Sequence, residues 1–170
     1  MAAASVHVRP AHHSDFGAVS PIVDDFMAQH HRWQPSRFRP TLIGFTPAVF
    51  QSWIAHPDEL NLVAAIDSGV VGYTRASRFA GSSNEFILPR RGVHVGLLMV
   101  APNARRNGAG RALFQSVENW ANASGAEFIG LDMSPQNATA RAFYAALGYD
   151  LVNEYRAKTL RQVRRFEADP

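Results

Sequence analysis

The residues best suited to binding chemistry form one short turn, Arg105-Arg106-Asn107-Gly108-Ala109-Gly110-Arg111. The turn follows the apolar run 93–100 and opens a segment with the apolar period of an amphipathic helix. A strand that passes through glycines into a helix leaves backbone N–H groups without partners, and such groups bind phosphate. The neighbouring arginines add positive charge that suits a pyrophosphate. The turn therefore predicts a site for a phosphorylated cofactor.

A second motif follows one strand later, Asn137-x-x-Ala140-x-x-Phe143-Tyr144-x-x-x-Gly148-Tyr149. Glycine turns and Asn-capped helices are each common, but their order and spacing together are specific. With Arg105-x-x-Gly108-x-Gly110 before it, this motif resembles the GNAT superfamily of acetyl-coenzyme A-dependent N-acetyltransferases. The two motifs cover residues 93–151, and the strand, helices and hairpin upstream have the family's arrangement.

The resemblance implies where acetyl-coenzyme A (acetyl-CoA) would bind. The backbone N–H groups of residues 106–111 would hold the pyrophosphate, and Gly108 and Gly110 would leave room for it. The pantetheine amides would pair with the end of the strand as an added strand, and backbone donors near Met99 and Val100 would polarise the thioester carbonyl. The full set of implied contacts is Leu98, Met99, Val100, Arg105, Arg106, Asn107, Gly108, Ala109, Gly110, Arg111, Asn137, Ala140 and Tyr144.

The resemblance also implies roles in the reaction for two side chains. Tyr144 matches the family tyrosine that protonates the departing thiolate, which a phenol with a pKa near 10 can do; its alternative role is that of a core aromatic. His94 lies six residues before the end of its strand, where some family members carry a glutamate base. An imidazole changes its protonation near neutral pH. Glu85, Asp132 and ordered water are the alternatives to His94 as the base, and His94 has the alternative role of a surface histidine on a sheet strand. Asn137 has the alternative role of a plain helix cap.

Composition fits one globular domain that covers residues 1–170. The chain is 46% hydrophobic and 18% charged, and its net charge of +3 favours an anionic ligand only weakly. It has no cysteine, which excludes disulfides, a thiolate nucleophile and an acyl-thiol intermediate. Since no apolar run approaches the roughly 20 residues of a membrane span and no signal-peptide pattern opens the chain, we expect a cytoplasmic protein that does not bind membranes.

The apolar patterns predict a mixed sheet with helices on its faces. The resemblance implies that this is the α/β (α+β) fold of GNAT-like acyl-CoA N-acyltransferases, with a mostly antiparallel central sheet. The first predicted elements are a strand at 6–9 and a helix that runs to about His30. Ser14-Asp15 offers a local start for this helix, and Ser20-Pro21 offers a better one. The elements that follow are a helix from Pro47, a hairpin turning at Ser68-Gly69, a strand at 93–100 with a bulge or close approach at Gly96, a helix at 108–124, a strand at 128–133, a helix capped by Asn137, and a last strand at 149–160.

The acceptor is expected to carry an amine, on a small molecule or a peptide. Aromatic residues of the first helices and of the loop before the cofactor strand are candidate walls of its pocket, although most also suit a core: Trp33, Phe38, Phe45, Phe50, Trp53 and Phe86. No metal is expected, because the paired histidines at 12–13 and 30–31 lack ligand spacing. Nucleic acid is not expected either, because Glu154 and Glu167 interrupt the positive charge around the basic residues at 156–165 and no recognition module is visible. A homodimer stays open.

The resulting functional prediction is transfer of the acetyl group of acetyl-CoA to a primary amine, by direct attack in a ternary complex. A dinucleotide-binding oxidoreductase is a weak alternative, because its fingerprint needs glycine where Leu113 stands and an early strand before it. A regulatory or interaction module that binds acetyl-CoA without catalysis is the stronger one. Turnover with any amine would distinguish the enzyme from that module.

Overall fold

The computed structural model describes residues 5–40, 44–81 and 85–158. The chain divides into two compact units. The first is described over residues 5–26, 44–81 and 85–132, and the second over residues 27–40 and 133–158. The expectation that residues 1–170 form a single domain stays a prediction.

Within the described residues, five strands form one sheet in chain order, and four α-helices accompany them. The strands are β1 (His7–Pro10), β2 (Glu59–Ile66), β3 (Gly69–Ala80), β4 (Arg91–Val100) and β5 (Phe128–Leu131). The helices are α1 (Phe16–Trp33), α2 (Pro47–Ile54), α3 (Ala109–Ala123) and α4 (Ala138–Ala145). Strands β1 to β4 pair antiparallel, and β5 pairs parallel to β4. The predicted mixed, mostly antiparallel sheet flanked by helices is confirmed.

Helix α3 is held against one face of the sheet by an apolar stripe. Leu113, Val117 and Ala121 recur every fourth residue and are buried. Leu113 shares a buried cluster with Leu62 and other residues of β2 and β3. This packing fixes the start of α3 beside the end of β4, which is where the glycine turn lies.

Strand β4 is paired on one side along its length but only partly on the other. It pairs with β3 from Arg91 to Val100, whereas β5 accompanies only residues 92–95. Val95 lies opposite Ala76 and Leu97 opposite Arg75, so Gly96 is an extra residue in β4 and the predicted bulge is confirmed. Among the described residues, the edge of β4 that faces away from β3 is therefore unpaired beyond the bulge.

Of the two predicted starts of α1, the preferred one at Ser20-Pro21 is wrong and the local one at Ser14-Asp15 agrees with the structure. The helix begins at Phe16 and contains Pro21 in its interior. Its start is fixed by Asp15, whose carboxylate accepts the N–H of His12 at 2.8 Å and two hydrogen bonds from Arg9 at 2.7 and 2.8 Å. These bonds favour a start one turn upstream, and a proline within the helix costs it a hydrogen bond.

Two further predictions fail at strand boundaries. The hairpin turns at residues 67–68, one position earlier than predicted, because Gly69 with φ +119° already belongs to β3. The last strand is absent over residues 149–158, where Leu151, Val152 and Tyr155 are exposed. Alternating apolar residues form a strand only where a neighbour completes the hydrogen-bond ladder. Positions 159–160 and the basic residues at 161–165 lie outside the described residues.

Candidate functional site

The glycine turn presents a row of backbone donors. Arg106 has φ +66° and Gly108 has φ +85°, so two residues of the turn have a left-handed backbone conformation before α3 begins. The first helical hydrogen bond runs from the N–H of Ala112 to the carbonyl of Gly108 at 2.9 Å. Within the described part of the chain, the N–H groups of residues 106–111 find no protein acceptor. Unused donors at the positive end of a helix favour an anion.

The arginines of this turn have different environments. The Nε of Arg105 donates to the carbonyl of Val100 at 3.1 Å, and its guanidinium forms an ion pair with Asp25 at 3.1 Å. The side chain of Arg105 is thus used to hold the turn against the end of β4 and α1. Arg106 and Arg111 are exposed and have no ion-pair partner among the described residues. These two guanidinium groups supply the free positive charge of the turn.

The unpaired edge of β4 presents only alternate residues. The N–H of Ala101 donates to the carbonyl of Val71 on β3 at 2.8 Å, and Met99 lies two positions earlier opposite Tyr73. Since backbone groups alternate between the two edges of a strand, those of Met99 also point towards β3. The backbone groups of Leu98 and Val100 point to the open edge. An added strand would pair with these two residues, with Met99 between them facing the sheet.

A histidine and an aspartate meet where β4 and β5 part. His94 lies opposite Gly130, and β5 ends one residue before Asp132. The Nε2 of His94 is 3.2 Å from the Oδ2 of Asp132, and their side chains are 43% and 96% exposed. The structure thus brings together two of the three side chains considered for the general base. Glu85, the third, is an exposed residue of the loop before β4.

The second unit holds Asn137, Ala140 and Tyr144. The Oδ1 of Asn137 accepts the N–H of Ala140 at 3.0 Å, so this asparagine caps α4. Tyr144 is 9% exposed and lies beside Phe143 and Tyr149. Burial raises the pKa of Tyr144 to about 12. The phenol is therefore protonated at neutral pH, as a proton donor must be.

The candidate acceptor walls divide into core and surface residues. Phe50 is fully buried and packs against Tyr73 of the sheet, so it belongs to the core. Phe45 and Trp53 contact each other with ring centres 5.1 Å apart. Phe86 is 93% exposed. In the second unit, the rings of Trp33 and Phe38 each contact His30.

Over the described ranges 5–40, 44–81 and 85–158, no three histidine or carboxylate side chains are grouped as metal ligands would be. None of the helices in that part of the chain is long and apolar enough to cross a membrane.

Comparison with known proteins decides the family. Residues 22–149 match the model of the acetyltransferase (GNAT) family. The chain belongs to this family. The match includes both the glycine turn and the α4 motif, so the resemblance drawn from those motifs is confirmed.

Solved structures show the same GNAT fold. A variant of the BH1408 protein from Bacillus halodurans has a TM-score of 0.86 and 22% identity, covering 91% of this chain and 99% of that one. The aminoglycoside N-acetyltransferase AAC(6')-Iy, solved in complex with CoA, has a TM-score of 0.68 and 17% identity, covering 93% and 96%.

One curated relative matches a shorter stretch of sequence. It is naa20, the catalytic subunit of the N-terminal acetyltransferase B complex of Schizosaccharomyces pombe, which is 40% identical over 58 residues. The match covers 34% of this chain and 32% of that protein, about a third of each.

Proposed function

We propose that this GNAT protein transfers the acetyl group of acetyl-CoA to a primary amine, by direct attack within a ternary complex. One juxtaposition carries the proposal. The N–H groups of residues 106–111 have no acceptor among the described residues, and they adjoin the stretch of β4 whose outer edge is unpaired in that part of the chain. A diphosphate joined to an extended chain with amide groups matches both features. The GNAT neighbour AAC(6')-Iy, solved with CoA, supports the same cofactor.

The first unit contains backbone groups for two parts of this cofactor, the pyrophosphate and the pantetheine arm. The N–H groups of residues 106–111 would bind the pyrophosphate, with Arg106 and Arg111 adding charge. Leu98 and Val100 would bond to the pantetheine amides as strand neighbours do. From Val100 back to Gly96 is about 13 Å at ~3.3 Å per residue. An extended arm that follows β4 from the turn therefore leads towards the point where β4 and β5 part.

His94 is the residue we propose as the general base. When bound, acetyl-CoA supplies an acetyl group already activated as a thioester. The acceptor amine is mostly protonated at neutral pH, so it must lose a proton before its nitrogen can attack. His94 lies at the divergence of β4 and β5, and its ring can take a proton and return it to water. No cysteine is present to form an acyl-enzyme, which favours direct attack.

Tyr144 is the residue we propose as the proton donor to the departing thiolate. The assignment is carried over from the family motif, in which this tyrosine has that role, and Asn137 and Ala140 are proposed as cofactor contacts on the same basis. The raised pKa of Tyr144, about 12, keeps the phenol protonated at neutral pH and so argues against a base. It also makes the phenol a weaker acid than an unperturbed tyrosine, so the proton-donor role rests on the family motif and not on the pKa.

The acceptor is proposed to be a small-molecule amine or a peptide amine. AAC(6')-Iy is named as an aminoglycoside N-acetyltransferase, and naa20 belongs to an N-terminal acetyltransferase complex. These proteins define two arms of a substrate panel, aminoglycosides and peptides with free N-termini. Simple polyamines and amino acids complete it.

The test is release of free thiol from acetyl-CoA in the presence of each amine. Because the chain has no cysteine, any thiol detected comes from coenzyme A. We expect release with at least one amine class, and a loss of roughly 100-fold or more in His94→Ala. His7→Ala, on the exposed face of β1, is the matched control and should retain full activity. Cofactor binding without thiol release across the panel would instead support a regulatory module.

A further inference from the structure

The divergence of β4 and β5 contains an ion pair that differs from the others in kind. Every other ion pair recorded between described residues joins a carboxylate to an arginine. The pair of His94 and Asp132 joins a carboxylate to an imidazole, at 3.2 Å. A guanidinium does not release its proton in proteins, whereas an imidazole does so near neutral pH. This pair is therefore the one suited to a proton transfer.

The contact also determines which ring nitrogen is protonated. An ionised carboxylate can only accept hydrogen bonds. The nitrogen that faces Asp132 is Nε2, so this atom carries the hydrogen. In a neutral imidazole the lone pair is then on Nδ1.

We propose that Asp132 is a positioning residue, which holds His94 with Nε2 protonated and leaves Nδ1 as the atom that takes the proton of the acceptor amine. This inference rests on the proposed function. The acceptor ammonium would lose one proton to Nδ1, and the freed electron pair would form the new N–C bond as the C–S bond of the thioester breaks. The imidazolium would return its proton to water, and the second proton lost by the nitrogen would balance the one that the departing thiolate receives, so that coenzyme A leaves as the thiol. Asp132 accepts a hydrogen bond throughout and does not itself change its protonation.

Asp132 lies just past the end of the short strand β5. This strand ends at Leu131, opposite Val95, and the next residue leaves the ladder just before the bulge in β4. Asp132 lies two positions after Gly130, the residue opposite His94, so extended backbone carries its side chain on the same side of the sheet as the imidazole. A longer β5 would have continued to pair beside residue 96.

The size of the expected effect follows from exposure. Because both side chains are accessible to water, the contact resembles a surface ion pair. We expect Asp132→Ala to lower kcat by roughly two- to fivefold, with an unchanged Kd for CoA. Glu127→Gln, which removes a carboxylate just before the same strand, is the control for a general loss of negative charge.

The experiment combines a double-mutant cycle with NMR of the imidazole nitrogens. In wild-type protein the 15N spectrum of His94 should show the tautomer with Nε2 protonated, and Asp132→Ala should lose that preference. In the His94→Ala background, adding Asp132→Ala should cause no further loss of kcat. An equal loss in both backgrounds, or a wild-type ring protonated at Nδ1, would overturn the proposal.

Failure of the proposed function would look different. If the wild-type protein released no thiol with any amine, the enzymatic proposal would fail whatever the NMR spectrum showed. If thiol were released but His94→Ala had full activity, the base would be misassigned. Only the tautomer of His94 and the double-mutant cycle test the role of Asp132, and both are measured on the full chain.

Discussion

The cofactor proposal predicts that two chemically identical substitutions will have different consequences. Gly108 and Gly125 flank α3, with φ +85° and +70°, and an added Cβ would meet no atom within 4 Å at either position. Alanine at either glycine therefore fits the available space but strains the backbone. Only Gly108 lies in the turn with unused N–H groups, so Gly125→Ala is a matched control for Gly108→Ala.

Both variants should be destabilised by a similar amount. An L-residue in the left-handed region costs about 1–2 kcal/mol, and a chain of this size loses about 2–4 °C of Tm per kcal/mol. In Gly108→Ala the strain also favours rotation of the neighbouring N–H groups away from a common ligand. Loss of one hydrogen bond to a charged group, about 1.5–3 kcal/mol, would weaken CoA binding roughly 10- to 150-fold.

The assay is thermal unfolding with and without CoA, with Kd measured by calorimetry. At a CoA concentration of 100 times the wild-type Kd, wild type and Gly125→Ala should each gain about 2.7 kcal/mol. Gly108→Ala should gain only about 0.3–1.3 kcal/mol at that concentration. Equal gains in the two variants would refute the assignment of the turn as the pyrophosphate site.

Three other substitutions test the remaining structural claims, with exposed Tyr155→Phe as the control for both tyrosine changes. Tyr144→Phe should lower kcat while the Kd for CoA is unchanged, and full turnover would exclude the proton-donor role. The hydroxyl of Tyr73 donates to the Oδ1 of Asn61 at 2.5 Å, and both residues are buried. Tyr73→Phe leaves that oxygen without its donor and should lower the free energy of unfolding in urea by about 1–3 kcal/mol. A decrease no larger than that of Tyr155→Phe would contradict this. Hydrogen bonds from Arg9 lower the pKa of Asp15 below 3.8. The ionised carboxylate of Asp15 therefore stabilises the fold above that pH, and this stabilisation is lost as acid protonates the carboxylate. The stability difference between wild type and Asp15→Asn should therefore shrink on acidification, and a constant difference would count against the linkage.

Features that depend on neighbouring residues were predictable from the sequence. Thr46 accepts the N–H of Val49 and Pro47 occupies the first turn of α2, as their types predict. Gly108 and Gly148 have positive φ at the start of α3 and the end of α4. Each of these needs only a few residues of chain to be specified, which is why the turn and the α4 motif could be recognised.

Features that depend on strand pairing were not predictable. Which of Leu98, Met99 and Val100 offers its backbone to a ligand depends on the hydrogen bond between Ala101 and Val71, which are thirty positions apart in sequence. The last strand was predicted from alternation alone, and alternation does not supply a partner. The contact of Arg105 with Val100 was also missed, because the motif gave its side chain to the cofactor.

The bulge at Gly96 explains why β4 can serve both packing and chemistry. Leu98 and Val100 pack with the cluster under α3, while Met99 lies opposite Tyr73, which faces α2 through Phe50. Side chains of an unbroken strand alternate, so without an extra residue Leu98 would share its face with the residue four positions earlier, His94. The extra residue in the bulge places Leu98 and His94 on opposite faces of the sheet.

The reversal separates the two halves of β4. Val93 lies opposite Arg78, whose guanidinium is 5.4 Å from the ring of Trp120 on α3, so Val93 faces α3. His94 therefore faces the opposite side, although Leu98 faces α3 as Val93 does. A single inserted glycine keeps Val93 in one half, and Leu98 and Val100 in the other, on the α3 side of the sheet. It leaves the imidazole on the far face, where Asp132 meets it. The open edge and the candidate base thus depend on the same irregularity in one strand.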